Sequence, residues 1–170
     1  YDVGRAAASI PDDMPCAISY GDFYMACDLT RFQLDVAERG CDGCVPCYTG
    51  YHPHLTVRKN LYASCLTDSE DNLIEIREKF SFAEDKTKAL HSPGIYYFRT
   101  GALLKEYCEK LVDDGPALNG EYYASLPYNY MVRDGRKVWV PVNVERFCQW
   151  GTPEDMADYN FYMDHVLNWR

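Results

Sequence analysis

A short, mostly apolar run at residues 16–20 stops at Gly21 and Asp22, which predicts a buried strand closed by a turn. Asp28 then stands where a helix N-cap belongs, Leu29, Phe32 and Val36 recur on one face, and Gly40 is placed to end the helix. Residues 41–48 read as the next strand, so 16–48 predicts a βαβ unit with parallel strands. Asp22 would then lie at the carboxyl end of the first strand, the edge at which ligands bind in open α/β sheets.

The rest of the chain carries similar signals. Residues 61–67 and 73–79 are strand-like runs joined by a polar stretch, which predicts a hairpin. Residues 80–92 are polar and predict irregular structure, and 94–98 is a compact aromatic strand. Leu103, Leu104, Tyr107, Cys108, Leu111 and Val112 recur at helical spacing up to Gly115, as core residues do. Residues 119–123 open a further helical segment that contains Pro127 and ends near Gly135. Residues 137–142 and 146–149 read as strands. Thr152, Pro153, Glu154 and Asp155 form a strong helix start, with the helix running to about Trp169. Residues 6–8 look like the end of a helix, followed by a turn at residues 11–13.

With 170 residues the chain can bury one sizeable core, and no apolar stretch is long enough to span a membrane. The formal net charge of −9 argues against nucleic acid or an anionic membrane surface as the main partner, although a small phosphorylated ligand needs only a local cation or a bound metal. The chain begins at Tyr1 and carries no signal peptide, so a processed or partial chain located in the cytoplasm is expected. Of its eight cysteines, Cys16, Cys65, Cys108 and Cys148 sit in apolar runs, where the residue acts as a small hydrophobe. Cys41, Cys44 and Cys47 have the spacing of part of a zinc or iron–sulfur ligand set, but no fourth ligand follows at close spacing, and the segment reads rather as a strand entering the core. His52 and His54 flank a proline and could bind a metal or a phosphate; the blander reading is an exposed loop.

Asp22 alone is either a turn residue or a ligand for Mg²⁺, a hard cation that prefers oxygen and arrives with substrate phosphates. Four ordered stretches tilt that balance: Tyr20-Gly21-Asp22; Ile74-Glu75-Ile76-Arg77-Glu78-Lys79; Gly94-Ile95-Tyr96-Tyr97-Phe98; and Phe147-Cys148-Gln149-Trp150-Gly151-Thr152-Pro153-Glu154-Asp155. Together they resemble the sugar-1-phosphate nucleotidyltransferase family, the NDP-sugar pyrophosphorylases. The resemblance implies an α/β fold with a Rossmann-like, mixed, mostly parallel sheet flanked by helices, in one domain over residues 1–170. It implies transfer of a nucleotide from a nucleoside triphosphate to a sugar 1-phosphate, with Mg²⁺ as cofactor. Asp22 would hold the metal, with Gln149 where the family has a second metal-binding aspartate. Lys79 would hold the sugar phosphate, Glu78 the sugar hydroxyls, and Gly94 and Tyr96 would lie beside the sugar pocket. Glu121, next to Asn119 and Gly120, resembles a "G-E" segment that touches the sugar.

The chain departs from the family pattern at Gln149 and in two further places. Phe80 stands where an "E-K-P" strand end has proline. The glycine-rich "G-G-x-G-T/S-R" loop has no counterpart, and Gly4-Arg5-Ala6 matches only the tail of the nucleotide half, with Gly4 near the base. The chain is therefore expected to be a C-terminal portion, inactive alone, with an apolar sheet edge covered by the remaining half or by a second copy. Other readings remain open: a non-catalytic sugar-phosphate or regulatory module, a cytidylyltransferase for another phosphorylated acceptor such as phosphocholine, and a cysteine-ligated metal protein.

Overall fold

The computed structural model describes residues 6, 9–52, 55, 60–115 and 120–167. The chain begins with β1 (Cys16–Ser19) and β2 (Phe23–Ala26), followed by α1 (Leu29–Arg39). Then come β3 (Gly43–Cys44), β4 (Ser64–Thr67), β5 (Leu73–Arg77), β6 (Leu90–His91) and β7 (Ile95–Phe98). Helices α2 (Gly101–Asp113) and α3 (Pro127–Arg133), strands β8 (Val138–Trp139) and β9 (Arg146–Gln149), and helix α4 (Pro153–Tyr162) complete the order. No helix among the described residues is long and apolar enough to cross a membrane.

The central sheet has the order β1-β7-β3-β8. β1 and β3 both run antiparallel to β7, and β8 runs parallel to β3. Three of the four strands therefore point the same way in the mixed sheet expected, and β7 between them makes two of its three pairings antiparallel. β1 and β3 are parallel across α1, as a βαβ unit requires, with β7 inserted between them. A bridge between Tyr48 and His91 leads from this sheet to a second one, β5-β4-β6, in which the predicted hairpin pairs Ser64 with Arg77. A separate antiparallel ribbon pairs β2 with β9.

The helices form where local chemistry dictates. The Asp28 side chain accepts the Arg31 backbone N–H at 2.9 Å, and Gly40 ends α1 in the left-handed conformation that glycine adopts without penalty. Thr100 caps α2, whose Leu103, Leu104, Tyr107, Cys108 and Leu111 form its buried stripe. Thr152 and Asp155 form a reciprocal capping box on α4, which ends at Tyr162 and continues as one π turn, Met163–Leu167.

Three expectations are corrected and one is borne out. β1 alternates half-buried with exposed positions, because it lies at the edge of the sheet and only one face meets the core. Residues 23–26, read from sequence as loop, are a strand, because their pairing partner is β9 near the other end of the chain. His52 is buried rather than exposed, packed among the rings of Tyr48, Tyr62 and Phe147; His54 lies outside the described residues. Cys41, Cys44 and Cys47 are core residues: Cys44 packs with Val36 and Trp139, and the Cys47 and Cys65 sulfurs stand 3.8 Å apart. Burial pushes the Cys44 and Cys47 thiols well above their usual range, which keeps them neutral. Among the described residues, no group of three or more His, Cys, Asp or Glu side chains is arranged to hold a metal ion.

Candidate functional site

A cavity of about 210 Å³ opens where the β2–β9 ribbon meets the end of β1, the turn after β5 and the start of β7. Asp22, Glu78, Gly94, Tyr96 and Gln149 line it, together with Tyr20, Tyr62, Ser92 and Phe147.

Asp22 and Gln149 meet because the ribbon brings them together. Phe23 pairs with Gln149, and the Trp150 N–H donates to the Asp22 carbonyl at 2.8 Å, which carries the ladder one step past the strands. Gly151 completes the corner. A Cβ at Gly151 would stand 2.7 Å from Gln149 Nε2 and 3.4 Å from Asp22 Oδ2, so only a bare backbone leaves both side chains in place. A carboxylate and an amide converging over a glycine fit Mg²⁺, which takes few protein ligands and fills its octahedron with substrate phosphate oxygens and water. The Gln149 amide carries no charge and would offer a metal only its oxygen, so Asp22 supplies the only formal charge of this pair.

Glu78 follows β5 and accepts a hydrogen bond from Ser125 Oγ. Burial raises its carboxyl above the usual carboxylate range, against the opposing pull of the Ser125 bond and the Lys79 charge. Burial first, and then the Glu78 charge, push the neighbouring Tyr20 phenol up to about 12. The Tyr20 ring packs edge-on against buried Tyr96, with centroids 6.1 Å apart. Gly94 makes this packing possible. Its φ is 103°, and a Cβ there would fall 2.5 Å from Tyr20 Cδ2. The Tyr20 N–H donates to the Gly94 carbonyl at 3.1 Å, which ties the wall of the cavity to its floor.

Not every expected residue enters the cavity wall. Lys79 points along the rim, where Nζ donates to the Tyr123 hydroxyl at 2.7 Å. Glu121 is exposed and accepts the Tyr123 hydroxyl proton, with Lys79 Nζ 3.9 Å away. Gly4 and Asn119 lie outside the described residues. Ser125, Tyr62, Ser92 and Phe147 belong to the site without having been singled out as site residues. Ser125 acts on a residue 47 positions away, a separation that leaves no local signal. Phe147 stood inside the quoted Gly-Thr-Pro-Glu-Asp motif and could have been read as its apolar wall.

No protein-family model matches the sequence, and no curated protein matches it. Solved structures match its fold. A nucleoside-diphosphate-sugar pyrophosphorylase from Vibrio cholerae RC9 superposes with a TM-score of 0.63 at 15% identity, covering 85% of this chain and 55% of that one. A Bacillus anthracis protein assigned as a glucose-1-phosphate thymidylyltransferase, solved in complex with a sucrose, superposes with a TM-score of 0.69 at 16% identity, covering 96% of this chain and 60% of that one. The chain thus spans little more than half the length of either structure, and it shares their fold.

Proposed function

We propose that this chain forms the acceptor site of a nucleotidyltransferase that joins a nucleoside triphosphate to a sugar 1-phosphate and releases pyrophosphate. One observation carries the reading: Asp22, Glu78, Gly94, Tyr96 and Gln149, drawn from four separate stretches of sequence, line one cavity. The fold, shared with solved structures described as a nucleoside-diphosphate-sugar pyrophosphorylase and a glucose-1-phosphate thymidylyltransferase, supports the same reading.

In this reaction a phosphate oxygen of the sugar 1-phosphate attacks the α-phosphorus of the triphosphate. The bond from the α-phosphorus to the bridging oxygen breaks, and pyrophosphate leaves with the electron pair. Such transfers depend on positioning and on charge neutralisation. Asp22 and Gln149 would hold Mg²⁺, and the ion, when bound, would neutralise charge on the phosphate oxygens. Glu78, already desolvated, accepts hydrogen bonds from sugar hydroxyls. Tyr96 and Gly94 shape the wall against which the sugar lies, and Lys79 holds the sugar phosphate from the rim.

Glu78 gives this reading a test with two readouts. Its folded-state carboxyl titrates above the unfolded value of about 4.3. Between the two pKa values the folded chain binds more protons than the unfolded chain, so stability falls as pH rises through that window. Glu78→Gln keeps an oxygen for Ser125 and removes the charge. We expect Glu78→Gln to raise Tm at pH 7, with the gain shrinking as pH falls through the folded-state pKa and gone once pH is below the unfolded value of about 4.3. In calorimetry against a panel of hexose 1-phosphates, the same variant should bind the tightest member at least about tenfold more weakly. Unchanged affinity would remove Glu78 from the acceptor site.

A further inference from the structure

Residues 121–125 run along the rim of the cavity and hold three of its neighbours. The Ser125 hydroxyl donates to Glu78, and the Ala124 backbone beside the Tyr20 phenol opposes the rise in its pKa that burial causes. Tyr123 accepts from the Lys79 ammonium at 2.7 Å and donates its own O–H to the Glu121 carboxylate. The direction of the last chain is fixed by its chemistry: ammonium donates to phenol, and phenol donates to carboxylate. The Glu121 bond raises the Tyr123 phenol above its ordinary pKa, against Lys79, so the phenol keeps its proton at neutral pH.

Lys79 adopts a left-handed backbone, φ 53°, a conformation that a side-chain-bearing residue keeps only where its surroundings impose it. Its ammonium has three donors, and the Tyr123 oxygen takes one of them. A free lysine side chain samples many rotamers and loses that freedom on binding an anion. A lysine already fixed by one hydrogen bond loses less, and its two other N–H groups remain for phosphate oxygens.

We propose that Tyr123 is a positioning residue for the Lys79 ammonium, that Glu121 acts behind it by fixing the phenol, and that together they present Lys79 to the phosphate of the acceptor. This rests on the reading of Lys79 as the phosphate-holding residue, and it assigns Glu121 to Tyr123 rather than to the sugar. The segment that locks Glu78 through Ser125 thereby also aims Lys79 through Tyr123, so one strap sets both ends of a sugar phosphate.

A double-mutant cycle tests this in the wild-type background. Tyr123→Phe keeps the ring and removes the oxygen. Calorimetry should show the tightest-binding hexose 1-phosphate of the panel weakened about tenfold, with the matching free hexose unaffected. Lys79→Gln should weaken the phosphorylated sugar more, and Lys79→Gln combined with Tyr123→Phe should be no weaker than Lys79→Gln alone. Additive losses in the double variant, or an equal loss for the free hexose, would assign Tyr123 to packing and overturn the proposal. If Lys79→Gln leaves binding intact while Glu78→Gln weakens it, the lysine role and this proposal fall and the cavity reading stands. If no hexose 1-phosphate binds the wild-type protein, both fall.

Discussion

Asp22→Asn is expected to lower Mg²⁺-dependent pyrophosphate release by the intact protein roughly 10²–10³-fold, the range found when one preorganised charge-stabilising group is removed from a transferase or hydrolase site. The substitution is nearly isosteric, and the side chain is exposed. The backbone contact that places it, from the Trp150 N–H to the Asp22 carbonyl, does not involve the side chain. Stability should therefore stay within about 0.5 kcal/mol of wild type, as for ordinary surface changes. The loss should be large because Gln149, the other side chain over Gly151, brings no charge to compensate. Gln149→Asp is the informative companion: it restores a second carboxylate and should tighten the dependence on Mg²⁺. Normal turnover by Asp22→Asn would remove this carboxylate from metal binding.

The largest effect on stability is expected at Tyr128. This side chain is fully buried between α3 and the central sheet, stacked on Phe98 with centroids 4.9 Å apart. It lies directly on β3, where a Cβ at Gly43 would come within 2.6 Å of its ring. Its hydroxyl donates to the Tyr97 carbonyl at 2.6 Å. Tyr128→Ala should cost about 3–5 kcal/mol, the range for removing a large buried side chain and leaving a cavity. Tyr128→Phe keeps the ring and removes one hydrogen bond to a carbonyl that the β3–β7 pairing also engages, and should cost about 0.5–1.5 kcal/mol. At about 2–4 °C per kcal/mol for a chain of this size, thermal melts separate the two variants. Equal melting temperatures for Tyr128→Ala and wild type would contradict the packing described.

The elements legible in the sequence were those built from neighbours along the chain. Asp28, Thr100 and Thr152 sit where capping chemistry puts them, and the 3.6-residue stripe of α2 is complete in the sequence. The hairpin of β4 and β5 was legible because its turn is local: Asp68 Oδ1 accepts the N–H groups of Glu70 and Asn72. β2 was not legible, because a four-residue strand whose partner is β9 has no local signature. His52 misled for the same reason, since the rings that bury it come from several segments.

The candidate site divides along the same line. Asp22, Glu78, Gly94 and Gln149 could be singled out because each stands in a short motif at an element's end. Ser125 and Tyr123 could not, because their partners Glu78 and Lys79 lie 47 and 44 positions away. The cysteine spacing at positions 41, 44 and 47 pointed to a ligand set, yet it places three small side chains inside the sheet. Spacing that suits a metal also suits a strand packed on both faces, and burial decides between them.

The claim that Asp22 and Glu78 face a shared ligand is tested most directly by anomalous diffraction from crystals grown with Mn²⁺ and the tightest-binding hexose 1-phosphate. Mn²⁺ shares the oxygen preference of Mg²⁺. The expected result is an anomalous peak bonded to the Asp22 carboxylate, with Gln149 and phosphate oxygens completing its shell and the sugar hydroxyls on Glu78. A Mn²⁺ peak away from Asp22, or a sugar phosphate bound outside the cavity, would contradict it.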